Sequence, residues 1–245
     1  MVEAWINGLL SGPKTHLVNM LSNTSVMFQQ MGERSVAARM AAFMGDEGSV
    51  AMGEATAQWQ GLVSAIPDAF RFSIKSFITG NSGYGMSKID TGRPNALSSE
   101  SLEIRSDSMA GRFVDTLAAV APTRFLNAED EFFKTFGYRM ELHAQALRTA
   151  TKEVNDGQIP ADQLKDRMAD IIDNPPENVR IAAVDNALYQ TFTNPGGNLS
   201  KRLIKTANEY PAFRVLMPFI RTPANILTYT FHRTPLAPLF SAYKA

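Results

Sequence analysis

The sequence predicts an all-α fold: an elongated multi-helix bundle that opens with a long helical hairpin and closes with a proline-jointed C-terminal arm. Three observations predict it. Apolar residues recur at steps of three and four through several long stretches, which gathers them on one side of a helix. Each stretch ends at a Gly, Pro or Asn cluster of the kind that starts or stops helices. No segment sustains the apolar–polar alternation of a strand between turn signals.

The first division, 1–79, reads as an N-terminal helical hairpin. Ser11-Gly12-Pro13 supplies a cap and a proline suited to a first helical turn. Behind it Leu17, Met20, Leu21, Thr24, Met27, Phe28 and Met31 form one stripe on a helix of about 13–43, with a bend expected near Gly32. GDEGS at 45–49 interrupts the pattern. Met52, Ala55, Trp59, Leu62, Val63, Ile66, Phe70, Ile74, Phe77 and Ile78 then resume helical spacing, with Pro67 expected to kink or restart the helix. Both stripes read as core.

Residues 80–107 form a Gly/Ser-rich loop or linker without periodicity. Gly80 and Gly85 have the spacing of a phosphate-binding loop, but Met86 and Ser87 stand where Lys and Ser/Thr are needed, and no strand precedes them. The third division, 108–209, is a helical bundle. It begins with a short helix of about 108–120 and centres on a long helix of about 128–154, with Asn127 as N-cap and Glu129, Asp130 and Glu131 in the first turn, where the helix dipole favours acids. Phe133, Phe136, Met140, His143 and Leu147 step alternately by three and four, the spacing of a heptad seam. Asp156-Gly157 ends that helix. Further helices follow from 160, from 177 to 193 and over 199–209.

The last division, 210–245, is a basic, apolar, proline-rich docking arm. Five prolines, at 211, 218, 223, 235 and 238, cut it into short pieces, and no acid follows Glu209. Phe213, Arg214, Phe219, Arg221, Tyr229, Phe231, Arg233 and Phe240 are its candidate contacts to a partner or a membrane surface. Local packing on the bundle, a partner subunit and a bilayer interface are all compatible with that composition.

Composition narrows the function classes. At 245 residues and 44% hydrophobic content the chain can bury a core as one large domain or two small ones. With 24 basic and 24 acidic residues, it has no global field to gather nucleic acid. Zero cysteines exclude disulfides and thiolate zinc sites, and fit a reducing cytosol or a particle assembled there. The N-terminus carries Glu3 and no basic stretch, so it does not read as a secretory signal, and no run is long and apolar enough to span a bilayer. Catalytic, cofactor and metal sites are not expected. His16, His143 and His232 lack ligand spacing; His143 reads as a hydrogen-bonded core residue, and His16 as bonding the backbone of a neighbouring turn.

WINGLLSGPKTHLVNMLSN at 5–23, APTRFLNAEDEFFKTFGYRMELHAQALR at 121–148 and PFIRTPANILTYTFHRTPLAPL at 218–239 occur in an order that resembles a family of large internal virion, DNA-transfer or polyvalent proteins of tailed bacteriophages. The resemblance implies a non-enzymatic virion protein, made in the bacterial cytoplasm and packaged in the virion interior. It would oligomerise near the portal and be ejected to help DNA cross the host envelope. Its implied partners are copies of itself, portal or other ejection proteins, phage DNA transiently, and the host membrane after ejection. Long members carry enzyme segments elsewhere, so a helical region of a larger packaged polymerase or muralytic protein is an alternative. A membrane-interface-binding helical protein is another.

Overall fold

A computed structural model describes residues 12–45, 50–80, 82–83, 108–109, 122–194 and 221–234. Every regular element among these is a helix, so the protein is all-α. The helices are α1 (Pro13–Met44), α2 (Glu54–Thr79), α3 (Pro122–Asn155), α4 (Leu164–Asp173, entered through a 3-10 turn at Ala161–Gln163), α5 (Glu177–Gln190) and α6 (Arg221–Phe231). The chain divides into two compact units, one of 17–74 with 131–191, the other of 1–16, 75–130 and 192–245. The expected 108–120 and 199–209 helices and the linker 80–107 fall almost wholly outside the described residues.

In the unit of 17–74 and 131–191, α3 is the central element. One side of it gives Phe133, Phe136 and Met140 to a core shared with Met27 of α1 and Ala65 and Ala69 of α2. The other side gives Leu142 and Ala146 to a second core with Ile171 of α4 and Val179 and Ala183 of α5. Glycines set the closest approaches. A Cβ on Gly61 would stand 2.5 Å from the Arg139 carbonyl oxygen, and one on Gly137 would stand 3.1 Å from the Ala187 Cα. Contacts pair 54 with 148, 61 with 139–140 and 70 with 132, so α2 runs antiparallel to α3.

Small residues make that approach possible. Ala57, Gly61, Ala65 and Ala69 lie four apart and are buried. On α1 the buried positions are Asn23, Val26, Met27, Gln30, Ala38 and Ala41. Gln30 reaches α5, where Gln190 Nε2 donates to its Oε1 at 2.5 Å. The two apolar stripes expected to be core are therefore corrected. Met27 of the first stripe is in the core, with Met31 and Leu62 packed against it, but Leu17, Met20, Leu21 and Phe28 of α1, and Trp59, Val63, Ile66 and Phe70 of α2, are exposed; on α2 the smaller residues of another face make the contact with α3.

The unit of 1–16, 75–130 and 192–245 is held by mixed contacts. Arg124 Nη1 donates to the carbonyls of Phe77 and Ile78 at 3.3 and 2.7 Å, where α2 leaves them without helical partners. Gly80, at φ 72°, takes the left-handed turn that ends α2, and Asn127 Nδ2 donates to its carbonyl at 3.3 Å. Phe77 and Phe125 meet edge to face at 4.8 Å.

Four further expectations are revised. The long helix starts at Pro122 rather than near 128, because a proline fits a first helical turn. Asn127 is thus inside it and no N-cap, and Glu129, Asp130 and Glu131 lie beyond the first turn. Glu129 instead accepts from His16 Nδ1 at 2.8 Å, which replaces the backbone bond expected of His16. Glu131 and Lys134 pair at 3.2 Å, both buried. Pro67 lies inside an unbroken α2. The helix from 177 stops at Gln190, and Phe192 adopts a φ of 56°, which no helix continues.

Gly61 and Gly32 make opposite tests of this packing. Gly61→Ala forces α2 off α3 and is expected to lower stability by about 1–3 kcal/mol. Gly32, with open space around it on α1, should tolerate alanine and gain up to ~1 kcal/mol of helix propensity. Thermal or urea unfolding of the two variants checks the pair; equal effects would remove the close approach.

Candidate functional site

Chemistry needs polar groups that a substrate can reach, and the strongest polar cluster fails that condition. Glu54, in the first turn of α2, is fully buried. Its Oε1 accepts from the Ala51 backbone N–H at 2.7 Å and from Arg148 Nε at 2.8 Å; its Oε2 accepts from Arg148 Nη2 at 2.7 Å and Arg34 Nη1 at 2.8 Å. Arg34 Nη2 also reaches Glu141 Oε2 at 2.7 Å, and Gln145 Nε2 donates to Glu141 Oε1 at 2.7 Å. Two arginines and two glutamates therefore tie α1, α2 and α3 together, with both oxygens of each carboxylate engaged.

The charges in this cluster hold one another. Burial alone would raise the Glu54 carboxyl, but the Arg148 hydrogen bonds, the Ala51 N–H and the charges of Arg148 and Arg34 outweigh it and keep the group below the usual carboxylate range. Burial likewise opposes the Arg34 charge, and Glu141 and Glu54 more than offset it, so its guanidinium sits above its ordinary value. A carboxylate so stabilised and sealed is a poor acid or base. It is a fastening.

Sequence reading overlooked this cluster. A signal was present: Glu141, Gln145 and Arg148 step by four and three along α3, a polar line on a helix that is otherwise largely buried. Of the seam residues, Phe133, Phe136 and Met140 are in the core, while His143 and Leu147 are half-buried, with Leu147 against Gly53. His143 carries no side-chain hydrogen bond among the described residues, so the expected hydrogen-bonded core histidine is corrected. Burial first, and the Arg139 charge second, push its pKa down. Among the described residues no group of His, Asp and Glu is placed to hold a metal ion.

The C-terminal candidates divide. Phe213, Arg214, Phe219 and Phe240 lie outside the described residues. Arg221 opens α6, with Pro223 in its first turn. Tyr229 is buried: its ring meets Phe192 edge to face at 5.3 Å, and Arg233 lies over it at 3.5 Å. Asn225 Nδ2 donates to the carbonyls of Phe192 and Asn194 at 2.9 and 3.1 Å, fixing the backbone where Phe192 turns left-handed. Phe231 is exposed beside Ile226 and Leu227.

What the described surface offers is apolar area. Besides the residues of α2 already named, Val36, Met40, Phe43 and Met44 at the C-terminal end of α1 border an open apolar groove with Arg39, and Phe43 is 93% exposed. Exposed apolar area of this kind is characteristic of contact surfaces. No described helix is long and apolar enough to cross a membrane. Comparison of the chain with protein-family models, curated proteins and solved structures finds no match.

The pH dependence of stability separates the fastening from the histidine. Glu54, with its folded pKa lowered, contributes stability that is present above its unfolded value of about 4.3 and is lost as pH falls through the folded value. His143, also lowered, favours the folded state most above about pH 6.5 and opposes it as the imidazole protonates below that. Glu54→Gln leaves two partly buried arginines short of a partner inside the helix contact and should cost about 3 kcal/mol at pH 7. His143→Gln should remove the loss of stability that begins below about pH 6.5 and leave the acid limb. Melting curves from pH 3 to 8 check both; an unchanged profile for either variant removes that residue from the account.

Proposed function

We propose that this chain is a non-enzymatic internal virion protein of a tailed bacteriophage, which oligomerises near the portal and is ejected to help the genome cross the host envelope. The observation that carries the reading is the outward placement of large apolar side chains on α1 and α2, on helices whose other faces are already packed. A protein built to assemble leaves such surface for its neighbours. The three phage-like blocks, which overlap the start of α1, most of α3 and the whole of α6, supply the setting. Copies of the chain, portal or other ejection proteins, transiently phage DNA and later the host membrane are its partners in this reading.

The Glu54 cluster supports the non-enzymatic part, since both of its carboxylates are buried and engaged by arginines rather than open to a substrate. Virion interior is the location this function requires. Mass spectrometry of purified particles is the test: the chain should be present in multiple copies and lost from particles that have ejected their DNA. Its absence from intact particles would end the reading. Detection as part of a much longer chain would favour a segment of a packaged enzyme instead.

A further inference from the structure

Along the outer face of α2, Trp59, Val63, Ile66 and Phe70 stand between 41 and 56% exposed. Their spacing of four, three and four is a heptad line, the pattern of side chains that interdigitate with another helix. We infer that this line is the contact between two copies of the chain, α2 against α2 about a two-fold axis. The inference rests on the assembly role proposed above and names the surface that serves it.

Three features choose a second copy as the occupant. A two-fold contact is self-complementary, and a heptad line meets the equivalent line of its copy with knobs opposite holes. No basic residue lies between Glu54 and Phe70, whereas a helix that rests on a lipid surface needs Lys or Arg beside its apolar line. The area also fits a transient contact: four half-exposed side chains offer on the order of 400 Å² per copy, or roughly 800 Å² for the pair, the size of a weak and reversible interface.

The chain has no cysteine, so single-cysteine variants of the full chain report the contact directly. Val63→Cys should give a covalent dimer under mild oxidation, and Glu33→Cys, on an exposed position of α1, should not. Sedimentation of the unmodified chain should show a monomer–dimer equilibrium in the micromolar range. Ile66→Glu should weaken it at least tenfold with unchanged helical circular dichroism, because the side chain is already exposed. Trp5→Phe leaves Trp59 as the only tryptophan, and its emission should shift to the blue as dimer forms.

Equal cross-linking by the two cysteine variants would overturn the inference. So would a strictly monomeric chain, or a Trp59 shift that needs anionic lipid vesicles while the protein stays monomeric. A dimer that survives Ile66→Glu would place the contact elsewhere and leave the virion role intact. A dimer from a chain missing in purified particles would keep this contact and end that role.

Discussion

The close approach of α2 to α3 at Gly61 is the constraint from which the surface follows. Helix axes come that near only where the facing side chains are small, and α2 presents Ala57, Gly61, Ala65 and Ala69 at four-residue intervals. Once that line is used inward, the large apolar residues of the same helix have nowhere to go but out. A helix apolar on both sides belongs in an interior. The described part of this chain covers only one of them.

Register on that contact is set by charge. Glu54 sits two turns before Gly61, and Arg148 about two turns beyond Arg139, so fixing the first pair places the second. Sliding α2 by one residue would press a side chain into the α3 backbone and at once strand a buried carboxylate. The apolar contact tolerates neither a bulkier residue nor a shift, and the ion cluster supplies the specificity that a line of alanines lacks. On the other side of α3, Gly137 admits α5 in the same way, with Asn186 donating to the Gly137 carbonyl at 3.3 Å.

The helices and most of their ends were legible because local signals set them: Pro13 and Pro176 at starts, Gly45, Gly80 and Gly157 at stops. Which face is buried was less so. Periodicity finds an apolar line but does not say whether it meets the chain's own core or another surface, and the larger residues of α1 and α2 were assigned inward on size. On α2 the small line beside them was equally periodic and won by permitting closer contact. Glu129 misled for a related reason: an acid near a helix start satisfies the dipole argument, yet the true start lay at Pro122 and its partner, His16, is 113 residues away. Long-range polar partners leave no trace in a local window.

The same division of labour recurs at α6. Tyr229 and Asn225 are spent on Phe192 and the carbonyls around it, while Ile226, Leu227 and Phe231 stay outside. As on α2, a few small or polar contacts fasten α6 while its larger apolar side chains stay outside. Formal net charge is zero, with a pI near 6.8, so no long-range repulsion keeps copies apart at neutral pH. A globular monomer with this charge and this surface would be poorly soluble at high concentration. In the proposed assembly role the two properties agree, since the surface would supply the attraction and neutrality removes the barrier to using it.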